Sequence, residues 1–305
     1  VLGQHSGLHL INEPEIIYGL RRAGHDVHDH FPPAGREELL ARLCEVGLCR
    51  RHLEGLPESV RKDFVSAPEN FTFRDVYERL LPKPEGDRLI WGEKSLNNFY
   101  FLEDIETLYP DAVFLHIVRD ARAAVFSKIR KKRQTARHHC HWLQDVRFAA
   151  RQAVLWARFM AIARAAAQRL PRGRWIELRY ENLIKQSRQN LERLCMDLGI
   201  QFEPGMLEAE LRKSDPVLLS PETAGDHERL GKDFDPSRIR SFDDMPAPLV
   251  WVVERYSGTE MERLGYSLVK PGLAPWQRIL LGAVLPTRKD LERFIVHHGR
   301  KRKPQ

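Results

Sequence analysis

Two continuous apolar runs stand out in a chain otherwise dominated by helical spacing. "AVFLHIV" (Ala112 to Val118) is bounded by "YPD" and "RD", and "RLIWGEK" (Arg88 to Lys94) is a shorter run that ends in polar residues. Neither alternates apolar with polar, so both are predicted as buried strands of a parallel sheet rather than edge strands. A helix is predicted between them, from Asn98 to Leu108, and "ARAAVFSKIRKKR" after Val118 is rich in helix formers. The longest helical pattern runs from Leu143 to Leu170, with Leu143, Val146, Ala150, Ala153, Val154 and Ala157 at three- and four-residue spacing, and ends at Pro171 and Gly173. "RWIELRYENL" (Arg174 to Leu183) reads as another strand running into a loop. Amphipathic helices follow around Leu191 to Leu198, stopped by Gly199, and around Leu249 to Tyr256. Upstream, Glu37 to Leu53 and Thr72 to Leu81 have helix-like spacing, with Pro57 and Pro68 between them, and Pro14 stands where a helix can begin at its first turn. Strand, helix, strand, helix is the outline of an α/β fold with a central, mostly parallel sheet and helices on both faces.

At 305 residues the chain is long enough for one large domain or two small ones, and 42% hydrophobic with 30% charged residues excludes disorder as a whole. No apolar stretch in these residues approaches the roughly 18 a membrane helix needs. The net charge of +7 favours an anionic partner, be it nucleotide, sulfated or phosphorylated substrate, nucleic acid or acidic membrane, without choosing among them. Four cysteines, Cys44, Cys49, Cys140 and Cys195, form no CxxC pair and are too few for a disulfide framework, which points to a reducing, cytoplasmic setting. The first residue is Val1, so a Golgi or membrane-anchoring signal upstream of it would not be visible. "HHCH" (His138 to His141) does not make a metal site, because four adjacent residues cannot all face one tetrahedral ion, and no metal is expected.

Candidate chemistry concentrates after Val118. A buried strand delivers Arg119 and Asp120 at its carboxyl end, where open α/β sheets place their ligands. Ser127 lies eight residues on, about two helical turns, so that a guanidinium and a hydroxyl can converge on one anion. From Arg119 to Arg137 there are eight Lys/Arg, Arg133 among them, against the single acid Asp120. Such density suits a bound anion; a solvated helix face is the alternative.

In this order and at these spacings the segments resemble the sulfotransferase family that uses 3'-phosphoadenylyl sulfate (PAPS). "FLHIVRDARAAVFS" is similar to that family's 3'-phosphate-binding segment, which implies that Arg119 and Ser127 hold the phosphate, with Arg133 a further donor contact. "WGEKS" (Trp91 to Ser95) resembles the segment whose lysine contacts the transferring sulfuryl group, the role of Lys94 here. "ELRYENL" (Glu177 to Leu183) resembles an element that puts Tyr180 beside the adenine, and "ERLGY" (Glu262 to Tyr266) resembles the closing helix. "LGQHSGLHLINEPEII" is similar to the segment after the 5'-phosphosulfate loop in the tyrosylprotein and carbohydrate branches. Glu13 then falls on the catalytic acid, with Glu15 a substitute. The "PRSGTT"-like loop itself is not in this chain, and the resemblance places it just before Val1. Where the aryl branch has "GxxGxWK", this chain has "HERLGKDFDPSRI" (His227 to Ile239), which makes Lys232 and Arg238 candidates for the donor.

The resemblance implies a P-loop-NTPase-like sulfotransferase fold over residues 1–270, with a helical insert at about 37–81, and a helical, basic tail over 271–305. It implies sulfuryl transfer to a hydroxyl, phenol or amine of a small-molecule, carbohydrate or tyrosyl acceptor, and no nucleic-acid partner. Such chemistry rests on positioning and charge stabilisation, for which Lys and Arg suffice, plus a base for the acceptor's proton. Glu13 is the candidate base; the alternative is a helix N-terminal acid favoured by the dipole. Two other functions stay open: a P-loop-type nucleotide kinase, and a non-catalytic binder of nucleotide or polyanion.

Overall fold

Parallel strand pairs organise both halves of the chain in the computed structural model, which describes residues 2–81, 90–135, 142–207, 236, 239–287 and 289–290. These residues group into two compact units. The first is built from the described residues up to Ala112 with 195–207, and the second from Val113 to Leu194 with the described residues from 236 on.

In the first unit, β1 (Leu8–Asn12) leads through Pro14 into α1 (Ile16–Arg22). Next come β2 (His30–Phe31), α2 (Arg36–Cys44), α3 (Gly47–Gly55), α4 (Glu58–Ser66), β3 (Phe71–Thr72) and α5 (Phe73–Arg79). Then come β4 (Ile90–Lys94) and α6 (Leu102–Leu108). β1 and β4 are parallel, with Leu8 opposite Ile90 and Asn12 opposite Lys94, so the two strands end together. β2 and β3 form a short antiparallel pair. The expected helix over Glu37 to Leu53 is two, because Val46 turns to extended backbone (φ −91°, ψ 107°) before Gly47 restarts the helix. Pro57, read as a separator, caps a further helix, α4. The expected Asn98–Leu108 helix is a 3-10 turn over Leu96–Tyr100 followed by α6, because Phe101 leaves helical backbone (φ −130°) to pack its ring near Tyr18 and Tyr100. Thr72 caps α5 in a reciprocal box with Asp75. The core joins Ile16, Leu20, Leu43, Leu53, Phe64 and Phe73.

In the second unit, β5 (Phe114–Val118) lies parallel to β6 (Trp175–Arg179), with Val118 opposite Arg179. α7 (Ala121–Thr135) and α8 (Trp142–Arg169) intervene in sequence; α9 (Tyr180–Lys185), α10 (Ser187–Asp197), α11 (Ala247–Arg263) and α12 (Pro275–Val284) follow β6. Alanines on α8 (Ala149, Ala150, Ala153) let α7 and α11 pack closely through Ile129, Val252 and Val253. "RYENL" was expected as a loop, yet α9 starts at once on Tyr180, with Glu181 in its first turn where the helix dipole favours an acid.

The parallel pairing expected from the apolar runs is present, and the molecule is α/β. Full burial of those strands is not. Ile117 is 51% exposed while His116 and Val118, on the opposite face of β5, are buried. Each ladder has two strands among the described residues.

Candidate active site

Because β1 and β4 are parallel and in register, their carboxyl ends coincide, and Glu13 and Lys94 leave from that point. The Glu13 amide donates to the Lys94 carbonyl (2.8 Å), extending the ladder by one residue. The Lys94 ammonium forms an ion pair with the Glu13 carboxylate. The two residues read from the sequence as catalytic candidates are therefore in direct contact.

The backbone around them is bent hard. Glu13 (φ 52°) and Glu15 (φ 54°), on either side of Pro14, are both in the left-handed region, which side chains other than glycine adopt at a cost of about 1–3 kcal/mol. The bend turns the chain from β1 into α1, with Glu15 at the helix N-cap. The Glu15 side chain is buried at 2% exposure. Its Oε2 accepts from Asn97 Nδ2 (3.0 Å), and its Oε1 has no hydrogen-bond partner. Burial pushes its carboxyl above the usual range; Asn97 opposes the shift, and the charges of Glu93 and Glu13 add to it. Glu93 is also raised by desolvation, against hydrogen bonds from Asn98 and Tyr77. Tyr77 Oη donates to Glu93 Oε2 at 2.7 Å, and Tyr77, Trp91 and Tyr109 form a ring cluster behind it. Two carboxyl groups near this turn, Glu15 and Glu93, are thus pushed upward by desolvation, while Glu13 is the one paired with Lys94.

In the second unit, Arg119 follows β5 directly. Its guanidinium carbon lies 4.4 Å from the centre of the Tyr180 ring, and Nη2 donates to Ser241 Oγ at 3.2 Å. Its carbonyl accepts from Trp156 Nε1 of α8 at 3.1 Å, so this tryptophan fixes the turn. The next amide, of Asp120, donates to Glu181 Oε1 (2.9 Å), and Glu181 Oε2 accepts from Tyr266 Oη (3.0 Å). "RYENL" and "ERLGY" therefore meet at one carboxylate that holds the turn. Below it, Arg122 bridges buried Asp120 and Glu254, and Glu254 also accepts the amides of Val269 and Lys270.

The remaining site residues are placed differently. Ser127 is exposed on α7. Arg133 donates to Asp145 through Nε (3.0 Å) and Nη2 (2.7 Å), and Lys128 donates to Gln152 at 2.8 Å. The dense basic run is thus partly accounted for by bonds from α7 to α8. Lys232, Arg238 and "HHCH" lie outside the described residues. Glu93, Asn97, Asn98 and Tyr77 were not singled out from the sequence, although Glu93 sits inside "WGEKS". Glu181 was quoted within its motif without a role. Ser241 is 122 residues from Arg119 and carries no local signal.

Parallel strands that gather acids and cations at their carboxyl ends define an α/β protein of the kind that binds ligands there. Within that class, the model of the sulfotransferase family matches residues 16–204, well over half of the chain, and the chain belongs to this family. It resembles two solved structures. A sulfotransferase domain from the curacin biosynthetic pathway has a TM-score of 0.51 at 19% identity, covering 86% of this chain and 98% of that one. A sulfotransferase domain from the Synechococcus PCC 7002 olefin synthase has a TM-score of 0.51 at 20% identity, covering 86% and 94%. At these identities the likeness is one of fold. Comparison with curated proteins returned no match.

Proposed function

We propose that this chain moves a sulfuryl group from 3'-phosphoadenylyl sulfate to a hydroxyl, phenol or amine of a small-molecule, carbohydrate or tyrosyl acceptor, nearest in kind to the tyrosylprotein and carbohydrate branch. The observation that carries the proposal is the Glu13–Lys94 pair, a base and a cation 81 residues apart joined at the ends of two parallel strands. Membership of the sulfotransferase family supports it.

In this reading Glu13 takes the proton of the acceptor O–H or N–H as that atom bonds to sulfur. The sulfur–oxygen bond to the nucleotide phosphate breaks, and Lys94 stabilises the charge that collects on the leaving oxygen. The turn of the second unit, taken by itself, suits a 3'-phosphorylated nucleotide. A guanidinium and a hydroxyl, Arg119 and Ser241, match a 3'-phosphate, and the Tyr180 ring matches a base to stack on. Ser127 and Lys232 remain assigned to the donor by resemblance, as does Arg133, whose present bonds to Asp145 would have to be shared. Cys44, Cys49 and Cys195 are free thiols, which supports a cytoplasmic setting.

The test is donor-dependent sulfate transfer together with donor binding. Glu13→Gln and Lys94→Ala are each expected to lower turnover by roughly 100-fold or more with donor affinity retained. Arg119→Ala is expected to weaken the 3'-phosphorylated donor while leaving adenosine 5'-phosphosulfate binding unchanged. Near-normal turnover by Glu13→Gln, equal losses for both nucleotides, or phosphoryl transfer from ATP would overturn the proposal.

A further inference from the structure

α12 is held to its unit by a single buried residue, Leu281. Its other large apolar side chains face solvent: Trp276 is 64% exposed, Ile279 73% and Leu280 42%. With exposed Ala283 they fall at i, i+3, i+4 and i+7, one continuous stripe along the helix. Single exposed apolar residues are ordinary, but a stripe of this composition on adjacent turns marks a surface that something covers.

The charged residues on the helix and along the groove beside it are basic. The helix, "PWQRILLGAV", has no acid, and Arg278 is exposed on it. Arg147 and Arg151, exposed one turn apart on α8, line the same groove as Ala283 to Pro286. The sequence beyond continues the trend with "GRKRK" (Gly299 to Lys303).

We propose that α12 is an interfacial helix that docks this protein on an anionic lipid surface. Trp276, Ile279 and Leu280 enter the boundary between headgroups and acyl chains, and Arg147, Arg151 and Arg278 meet the lipid phosphates. A helix of ten residues is about 15 Å long, so it lies in the surface and does not span the bilayer. A second copy of the chain is the poorer occupant. A two-fold contact sets the same patch against itself and would bring these arginines together. A lipid surface offers both an apolar layer for the stripe and anions for its rim. This inference stands apart from the transfer reaction and does not depend on it.

The experiment is sedimentation of the full chain with vesicles of phosphatidylcholine alone and with added phosphatidylserine, at low and at physiological salt. Binding is expected on the anionic vesicles, weakened by salt. Ile279→Asp with Leu280→Asp should reduce it at least tenfold, and Arg147→Gln or Arg151→Gln by about fivefold each, the effect of about 1 kcal/mol per cation. These side chains are exposed, so the variants should keep the parent's circular dichroism and melting temperature. As a measurement that does not depend on the Asp variants, brominated lipid should quench tryptophan fluorescence in the parent and much less in Trp276→Phe, which keeps an apolar ring. No vesicle binding by the parent, equal binding to neutral vesicles, or full binding by the double Asp variant would overturn the proposal. So would a dimer that Ile279→Asp dissolves, or binding that depends only on residues 291–305.

Discussion

Replacing Arg122 with Met tests whether the turn that presents Arg119 is held by a buried charge network. Arg122 is 3% exposed. Its Nη2 and Nε donate to Asp120 at 2.6 and 3.0 Å, its Nη1 donates to Glu254 at 2.8 Å, and its guanidinium lies over the Phe242 ring. Methionine fills most of the volume, so the loss is electrostatic: two buried carboxylates keep their desolvation and lose their cation. Removing one partner of a buried pair costs about 3–5 kcal/mol. Backbone donors moderate this, because Asp120 keeps the amide of residue 122 and Glu254 keeps those of Val269 and Lys270. The expected loss is therefore about 3 kcal/mol, or a fall in melting temperature of roughly 6–12 °C. Glu254→Gln, which retains an acceptor oxygen, should cost only about 1–2 kcal/mol. Urea unfolding reads the loss, and a loss under about 1 kcal/mol would refute the reasoning.

Glu15→Gln should stabilise the protein. Burial raises the Glu15 carboxyl in the folded state, so its favourable contribution is complete below the ordinary carboxylate range and is lost as pH rises through the folded value. The gain in melting temperature should therefore be larger at about pH 8 than at about pH 5, and a gain that does not vary with pH would contradict the burial of this group. In the insert, Arg36 is fully buried and donates to the carbonyls of Phe31, Phe64, Ala67 and Glu69 while stacking 3.5 Å from the Phe71 ring centre. Arg36→Met should cost about 3–5 kcal/mol by leaving four carbonyls without this donor, and hydrogen exchange should locate the damage around β2, β3 and the end of α4.

What was legible in the sequence was what local pattern encodes. Continuous apolar runs located β4 and β5 and their parallel character, and the long three-and-four spacing located α8 within a residue at each end. β1 was missed because "LHLIN" is short and alternates, so it reads as part of a histidine-rich segment rather than a strand. The helices of the first unit were divided wrongly because their breaks depend on Val46 and Phe101, residues with no turn signature whose side chains pack into the core of that unit. Glu13 and Lys94 were reached through resemblance, and their contact follows from a strand register that no local pattern reveals. Glu15 and Glu93 look like surface acids in a linear reading; only the fold shows that both are desolvated.

Burial alone does not separate structure from function here; two kinds of buried charge differ in how their hydrogen bonds are met. Arg36 and the Asp120–Arg122–Glu254 network are buried charges whose donors and acceptors are matched, which is the arrangement expected of groups that hold a fold. The end of β1 breaks several local rules at once. Two glutamates adopt left-handed backbone around a proline, one of them keeps a buried oxygen with no partner, and a second carboxyl is desolvated beside it. Each departure costs stability that an ordinary strand-to-helix connection would retain. Departures concentrated around one ion pair fit the catalytic role proposed for Glu13 and Lys94. On this argument relief of the strain should separate the two roles: a change that stabilises the turn should cost activity, whereas one that weakens Arg36 should cost stability first.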